Sequence, residues 1–152
     1  MTKPARIHSL FLFALAAAAG PVWAASPCPN VGLTQTRVAF ETAKGRFTYR
    51  IEVAQTADQQ ACGMMFRDKM GRDTGMSFPM VPARATGFWM ENTALPLDII
   101  FVSPSGRVLN VKRGEPYSRE VLESAGAAGD VIELAAGEAE RIGLKPGDRV
   151  RR

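Results

Sequence analysis

Histidine is almost absent from this sequence of 152 residues. The single histidine, His8, lies in an N-terminal stretch that we predict to be removed from the mature protein. The remaining chain then lacks a histidine general base, a Ser–His or Cys–His nucleophile pair and any imidazole metal ligand. These classes of enzyme and metal site are therefore excluded for the mature chain.

Long apolar runs are also missing. The apolar stretch at residues 7–20 is shorter than the roughly 20 residues that a transmembrane helix needs. Lys3 and Arg6 precede it, and small residues around Ala24 follow it, which is typical of a secretory signal peptide. We therefore predict a signal peptide over residues 1–24, cleaved after Ala24, and a periplasmic or secreted protein without a membrane span. Cleavage after Ala25 and a retained anchor helix are the alternatives.

Neither sign of charge dominates. The chain carries 19 basic and 15 acidic side chains, and cleavage after Ala24 leaves 17 basic side chains against the same 15. The basic residues are scattered and form no stripe, so the sequence does not predict nucleic-acid binding.

Cysteine occurs at two positions only, Cys28 and Cys62. In an exported protein a pair of cysteines is more often a disulfide than two free thiols. We predict that this disulfide ties an N-terminal strap, residues 25–36, onto a single globular domain over residues 37–152.

Alternation of apolar and polar residues predicts a β-hairpin from residues 37–41 and 46–53. Thr56 and Gln59 have the spacing of a capping box, which predicts a helix from Thr56 that ends near residues 66–70.

Further strands are predicted along the second half of the chain. Leu97–Val102 is apolar on both faces except for Asp98, as expected of a central strand. Residues 130–134 form another strand, and residues 136–142 a short helix that Gly143 caps. Many short strands with two short helices predict an α+β, mostly β domain whose sheet is curled or barrel-like.

Five motifs follow one another in the chain: GMMFR, GMSF, FWMENT, LPLDIIF and VIELAAG, beginning at residues 63, 75, 88, 95 and 131. Together they closely resemble the bacterial and archaeal family known as domain of unknown function 192. The resemblance covers roughly residues 37–150 and implies an exported, mostly β single domain. The family has no established activity, so the resemblance implies no mechanism. Glu91 departs from the family pattern, in which lysine is common at this position.

The FWMENT motif contains the strongest candidates for ligand binding. The indole of Trp89, beside the amide of Asn92 and the hydroxyl of Thr93, can form the base of a pocket that binds a ring or the face of a sugar. Alternatively, Trp89 fills the core while Asn92 and Thr93 build a turn. The full set of candidate ligand-binding residues is Trp89, Asn92, Thr93, Asp98, Arg67, Met76 and Met90.

Asp98 stands alone in an apolar strand, where a carboxylate must find a partner or its pKa rises. One interpretation is a structural clasp that accepts amide donors from the turn at Asn92 and Thr93, or that pairs with Arg67 or Arg84. The other is a site acid or ligand group. Arg67 is itself a candidate for binding an anion or a carboxylate.

Six methionines lie between Met64 and Met90. Thioethers are soft ligands that suit Cu(I), but methionine is also a ready core filler. We predict the core-filling role, with no metal and no cofactor.

Three functions are compatible with these patterns. The first is a ligand-binding or interaction module, whose partner is an unknown small molecule or an envelope protein. The second is a histidine-independent, hydrolase-like enzyme that uses Asp98 with Glu133 or Glu91 as acid and base. The third is a structural accessory of an envelope complex. The sequence assigns no catalytic residue.

Overall fold

A computed structural model describes residue 28 and residues 30–152 of the chain. The predicted signal peptide and its cleavage site lie outside the described residues, as does most of residues 25–29 of the predicted strap. Within the described part, no helix is both long enough and apolar enough to cross a membrane.

The domain is mostly β, with two short helices, as predicted. In chain order its elements are β1 (Gln35–Thr42), β2 (Gly45–Val53), α1 (Ala57–Cys62), β3 (Thr74–Arg84), β4 (Gly87–Phe88), β5 (Leu97–Val102), β6 (Val108–Gly114), β7 (Leu122–Glu123), β8 (Ala128–Ala135), α2 (Glu138–Ile142) and β9 (Arg149–Arg151).

A mixed seven-stranded sheet forms the centre of the domain. Its strand order is β6-β5-β8-β3-β2-β1-β9, and β4 pairs with β7 in a separate two-stranded sheet. Only β2 and β3 pair in parallel within the large sheet. The described residues do not close this sheet into a barrel, although a single bridge between Arg107 and Arg149 joins its two outer ends. The predicted curl of the sheet is thus supported only in part.

Both faces of the sheet are covered by apolar side chains. We call the two groups the α1-side cluster, which includes Met76, Phe78, Ile99, Phe101 and Val131, and the α2-side cluster, which includes Tyr49, Ile51, Ile100, Ile132 and Ile142. Successive residues of β5 alternate between the two clusters because strand side chains point to opposite faces. The prediction that β5 is a central strand buried on both faces is therefore confirmed.

Helix α1 is tied down at both of its ends. The predicted capping box is present: the Thr56 hydroxyl accepts the Gln59 backbone N–H, and the Gln59 side chain accepts the Thr56 backbone N–H. The predicted disulfide joins Cys62, the last residue of α1, to Cys28. The buried side chain of Asn30 adds hydrogen bonds to the carbonyl oxygens of Gln59 (2.8 Å) and Gly63 (3.0 Å).

The predicted end of α1 near residues 66–70 is wrong. Gly63 has a φ of 47° and ends the helix, and its N–H donates to the carbonyl of Gln59. A positive φ is accessible to glycine because it has no Cβ. Met64 and Met65 therefore lie in a turn after the helix, where they reach a pocket described below.

The predicted cap of the second helix is confirmed: Gly143 caps α2 in the left-handed conformation. Pro79 and Pro82 lie inside β3, which pairs with β8 and has a register shift between Pro79 and Arg84. A bulge lets a strand continue past prolines that cannot donate to a ladder.

Candidate functional site

An open pocket of about 270 Å³ lies on the α1 side of the sheet. Its walls come from the end of α1 and the turn after it, from strands β3, β4 and β8, and from Trp89 just after β4. The main lining side chains are Met64, Met65, Phe78, Met80, Phe88, Trp89 and Glu133. The volume is just below the range of about 300–1,000 Å³ that is usual for ligand pockets. The pocket therefore has room for a small molecule.

Glu133 is the buried acidic group of this pocket. Its neighbours in β8, Ile132 and Leu134, belong to the α2-side cluster. Strand alternation therefore turns Glu133 to the α1 side, into the pocket. The residue is only 4% exposed, and its Oε2 atom has no hydrogen-bond partner among the described residues. Buried polar atoms are nearly always paired, so this one needs an explanation.

Burial raises the pKa of Glu133 from 4.5 to about 8. The positive charge of Arg67 opposes this rise without cancelling it. The Arg67 guanidinium is itself engaged, since it donates to the carboxylate of Glu52 and, at 2.7 Å, to the carbonyl of Asn30. A pKa of about 8 means that this carboxyl group is mostly protonated at neutral pH.

Apolar surface is exposed at the pocket and beside it. Trp89 is 51% exposed and lines the pocket, so the interpretation that it fills the core is wrong. Phe66 and Tyr117 are 58% and 65% exposed. Both are joined by backbone bonds to the FWMENT segment: the Phe66 N–H donates to the Asn92 carbonyl (2.9 Å) and the Tyr117 N–H to the Thr93 carbonyl (3.0 Å). The segment around Trp89 is thus held beside two other exposed aromatic residues.

Backbone strain is concentrated in the segments beside the pocket. Among the described residues, four other than glycine have a positive φ, and three of them are Phe66 (59°), Asn92 (54°) and Tyr117 (60°). Such conformations cost on the order of 1–3 kcal/mol each for bulky residues, and they gather at binding and active sites. These three residues do not line the pocket, but Phe66 follows Met65 and Asn92 precedes Thr93, both of which do.

Asn92 and Thr93 build a turn, which is the second of the two interpretations weighed from the sequence. The Thr93 N–H donates to the Met90 carbonyl at 3.1 Å, and its hydroxyl donates to the Glu91 carbonyl at 3.2 Å. Thr93 is buried and lines the pocket. Asn92 is exposed, and its side-chain nitrogen lies 4.0 Å from the sulfur of Met65.

Met76, Met90 and Arg67 were expected at the ligand site, but the structure places them elsewhere. Met76 and Met90 are fully buried in the α1-side cluster and are not among the pocket-lining residues. Both side chains are apolar and fit the doubly covered core. Arg67 binds a carboxylate, as its chemistry suggested, but the carboxylate is that of Glu52.

The structure also separates Asp98 from Trp89. Leu97 and Ile99 belong to the α1-side cluster, so Asp98 between them faces the α2 side of the sheet. Its Oδ2 accepts the N–H of Ala139 at 2.8 Å, and its Oδ1 lies 3.4 Å from Arg113. The pocket suggested for Trp89, Asn92 and Asp98 together is therefore corrected. Asp98 is a clasp between β5 and α2, with partners other than those expected.

No group of three or more His, Cys, Asp or Glu side chains in the described part of the chain is arranged to hold a metal ion. Three of the six central methionines, Met64, Met65 and Met80, do line the pocket. Cu(I) binding by these thioethers, the alternative to the predicted core-filling role, is therefore not tested by the described residues.

Two features of this region were not expected from the sequence. Glu133 was considered as an acid-base partner of Asp98, but a carboxyl group within the apolar run VIELA indicates a buried acid just as Asp98 does. Tyr117 lies in a segment without clear alternation or helical periodicity, and nothing in the sequence predicts its backbone bond to the FWMENT segment.

Comparisons with known proteins identify the family and the fold of this chain. The sequence model of DUF192, described as "Uncharacterized ACR", matches residues 23–152. A solved structure of a protein of unknown function from Novosphingobium aromaticivorans is 40% identical; the match covers 89% of this chain and 94% of that chain, with a TM-score of 0.78. A second, from Sinorhizobium meliloti, is named as a proposed transcription regulator. It is 34% identical, with 80% and 96% of the two chains covered and a TM-score of 0.77. No functionally curated protein matches the chain significantly.

Proposed function

The chain belongs to the DUF192 family of uncharacterised proteins, and from that premise we propose that it is an exported module that binds a small molecule in the pocket between Trp89, Thr93 and Glu133. This refines the binding site expected from the sequence, because Glu133 takes the place that was given to Asp98.

The observation that carries the proposal is the unpartnered carboxyl oxygen of Glu133 in the open pocket. An unpaired buried polar atom costs roughly 1–3 kcal/mol of stability. A ligand that hydrogen-bonds to this atom removes that cost when it binds. The aromatic and thioether side chains around Glu133 supply the apolar contact that small-ligand sites generally have.

Export is supported by the disulfide between Cys28 and Cys62, since disulfides persist mainly in oxidising compartments. The expected signal peptide agrees with it. We therefore place the binding activity in the periplasm or outside the cell.

The alternatives have less support. Hydrolysis by two carboxyl groups requires them about 5–10 Å apart across one cleft. Among the described residues that line the pocket, Glu133 is the only carboxylic acid, and Asp98 faces the other side of the sheet. A function in transcription regulation, as named for the S. meliloti protein, has little support here, because α1 and α2 have six and five residues and are short for a helix that reads the major groove.

Ligand binding can be tested by NMR on methionine methyl groups labelled with carbon-13. A panel of small amines, alcohols, sugars and carboxylates is titrated to millimolar concentration. We expect at least one compound to shift Met65 and Met80, which line the pocket, while Met70 stays unchanged because it lies outside it.

Two matched variants assign the shifts to the pocket. Ala61 and Ala57 are both exposed on α1, but only Ala61 lines the pocket. Ala61→Trp should fill the mouth and weaken binding at least tenfold, whereas Ala57→Trp should leave it unchanged. A panel that shifts none of the pocket methionines, or binding that survives Ala61→Trp, would contradict the proposal and favour a structural accessory.

A further inference from the structure

We propose that the ligand is an organic cation: a single primary or secondary ammonium group on a compact apolar or aromatic body, with its N–H donating to Glu133. This inference rests on the proposed function of the pocket and adds the chemical class of the ligand.

The first argument is hydrogen bonding. Once Glu133 has lost its proton on ligand binding, its oxygens can only accept hydrogen bonds, and an ammonium group can only donate them. The Oε2 atom of Glu133 has no donor among the described residues. An ammonium ligand therefore supplies what this oxygen lacks.

The second argument is charge. The guanidinium of Arg67 lowers the pKa of Glu133, but it is already paired with Glu52 and with the Asn30 carbonyl. A carboxylate in an apolar surrounding needs a closer counter-charge to remain ionised. An ammonium group in the pocket provides that counter-charge in a site where surrounding water screens it little.

The third argument is the character of the walls. Phe78 and Phe88 pack edge to face, with ring centres 5.0 Å apart, and Trp89 stands at the rim. Aromatic faces attract cations, and tryptophan does so most strongly. The same walls offer apolar contact to the body of the ligand.

Arg84 sets a limit on the ligand. Its side chain is among those that line the pocket, and the residue is exposed. A second positive charge on the ligand would be repelled there, so the pocket favours a monoamine over a diamine.

Binding of a cation should release the proton of Glu133. A pKa of about 8 leaves Glu133 mostly protonated at pH 7. The ammonium group lowers this pKa, and the proton leaves to the buffer as the ion pair forms. Most of one proton should therefore be released for each cation bound at pH 7. A neutral ligand releases none, because Glu133 then stays protonated.

Three probes of similar shape test the inference: benzylamine, benzyl alcohol and benzoate. Their binding at pH 7 is measured by calorimetry in phosphate and in Tris, whose different ionisation enthalpies report proton release. We expect benzylamine to bind at least tenfold more tightly than the other two and to release close to one proton. Glu133→Gln should weaken benzylamine binding at least tenfold, while Glu140→Gln, an exposed carboxylate on α2, should have no effect.

The outcomes separate the two proposals. If benzyl alcohol or benzoate shifts Met65 and Met80 and binds as tightly as benzylamine, the pocket binds ligands but the cation assignment is wrong. Benzylamine binding without proton release, or with full affinity in Glu133→Gln, overturns the assignment as well. If neither these probes nor the wider panel shifts the pocket methionines, the proposed function itself fails.

Discussion

Raising the pH from about 5 to about 8 should destabilise the native state by about 3 kcal/mol through Glu133 alone. The pKa of this group is about 8 in the folded protein, against an ordinary value of 4.5. Between these values the unfolded chain has released the proton that the folded chain retains. The unfolded state then binds fewer protons, so the free energy of unfolding falls as the pH rises and levels off above pH 8.

The difference between wild type and Glu133→Gln isolates this contribution. The amide is neutral at every pH, so the variant does not lose stability through this group as the pH rises. Its free energy of unfolding should exceed that of the wild type by on the order of 3 kcal/mol near pH 8. Urea unfolding at several pH values measures the difference. Glu140→Gln, which removes an exposed carboxylate, should follow the wild type. Parallel curves for wild type and Glu133→Gln would show that Glu133 ionises normally.

Replacing Asp98 by alanine should lower the free energy of unfolding by about 3 kcal/mol. The side chain of Asp98 is only 8% exposed, and its Oδ2 accepts the N–H of Ala139 in the first turn of α2. Gly137, at the N-cap position, offers no side chain to cap that helix. The variant thus leaves a buried donor unpaired and removes a charge-assisted bond between β5 and α2.

Urea unfolding of three variants tests this clasp. Asp98→Asn keeps one oxygen acceptor and should cost about half as much as Asp98→Ala. Arg113→Ala should cost less than about 1 kcal/mol, because the Arg113 side chain is half-exposed. Ligand binding should survive in the folded fraction of each variant, since Asp98 faces away from the pocket. A stable Asp98→Asn protein that has lost ligand binding would contradict the clasp.

Local patterns predicted much of the fold. The hairpin of β1 and β2 follows from strict alternation, and the start of α1 from the capping pair of Thr56 and Gln59. The disulfide and the central position of β5 also followed from residue types. Each of these signals is carried by neighbours in the sequence.

The site was less predictable for a physical reason. A strand that is apolar on both faces has no alternation to show which way its one polar residue points. The side of Asp98 depends on where α1 and α2 dock, which is tertiary information. For the same reason, the sequence could not show that Glu133 faces the pocket. The position of Met64 and Met65 was also not predicted, because α1 ends early, at Gly63, and leaves them in a turn.

The central claim is that Glu133 is a buried carboxyl group with a raised pKa that binds a cationic ligand. The most direct test is a carbon-13 NMR titration of its side-chain carboxyl, assigned by the loss of the signal in Glu133→Gln. We predict a midpoint near pH 8 in the free protein and a clearly lower one in the presence of saturating benzylamine. A midpoint near the ordinary value of 4.5 that benzylamine does not change would contradict the claim.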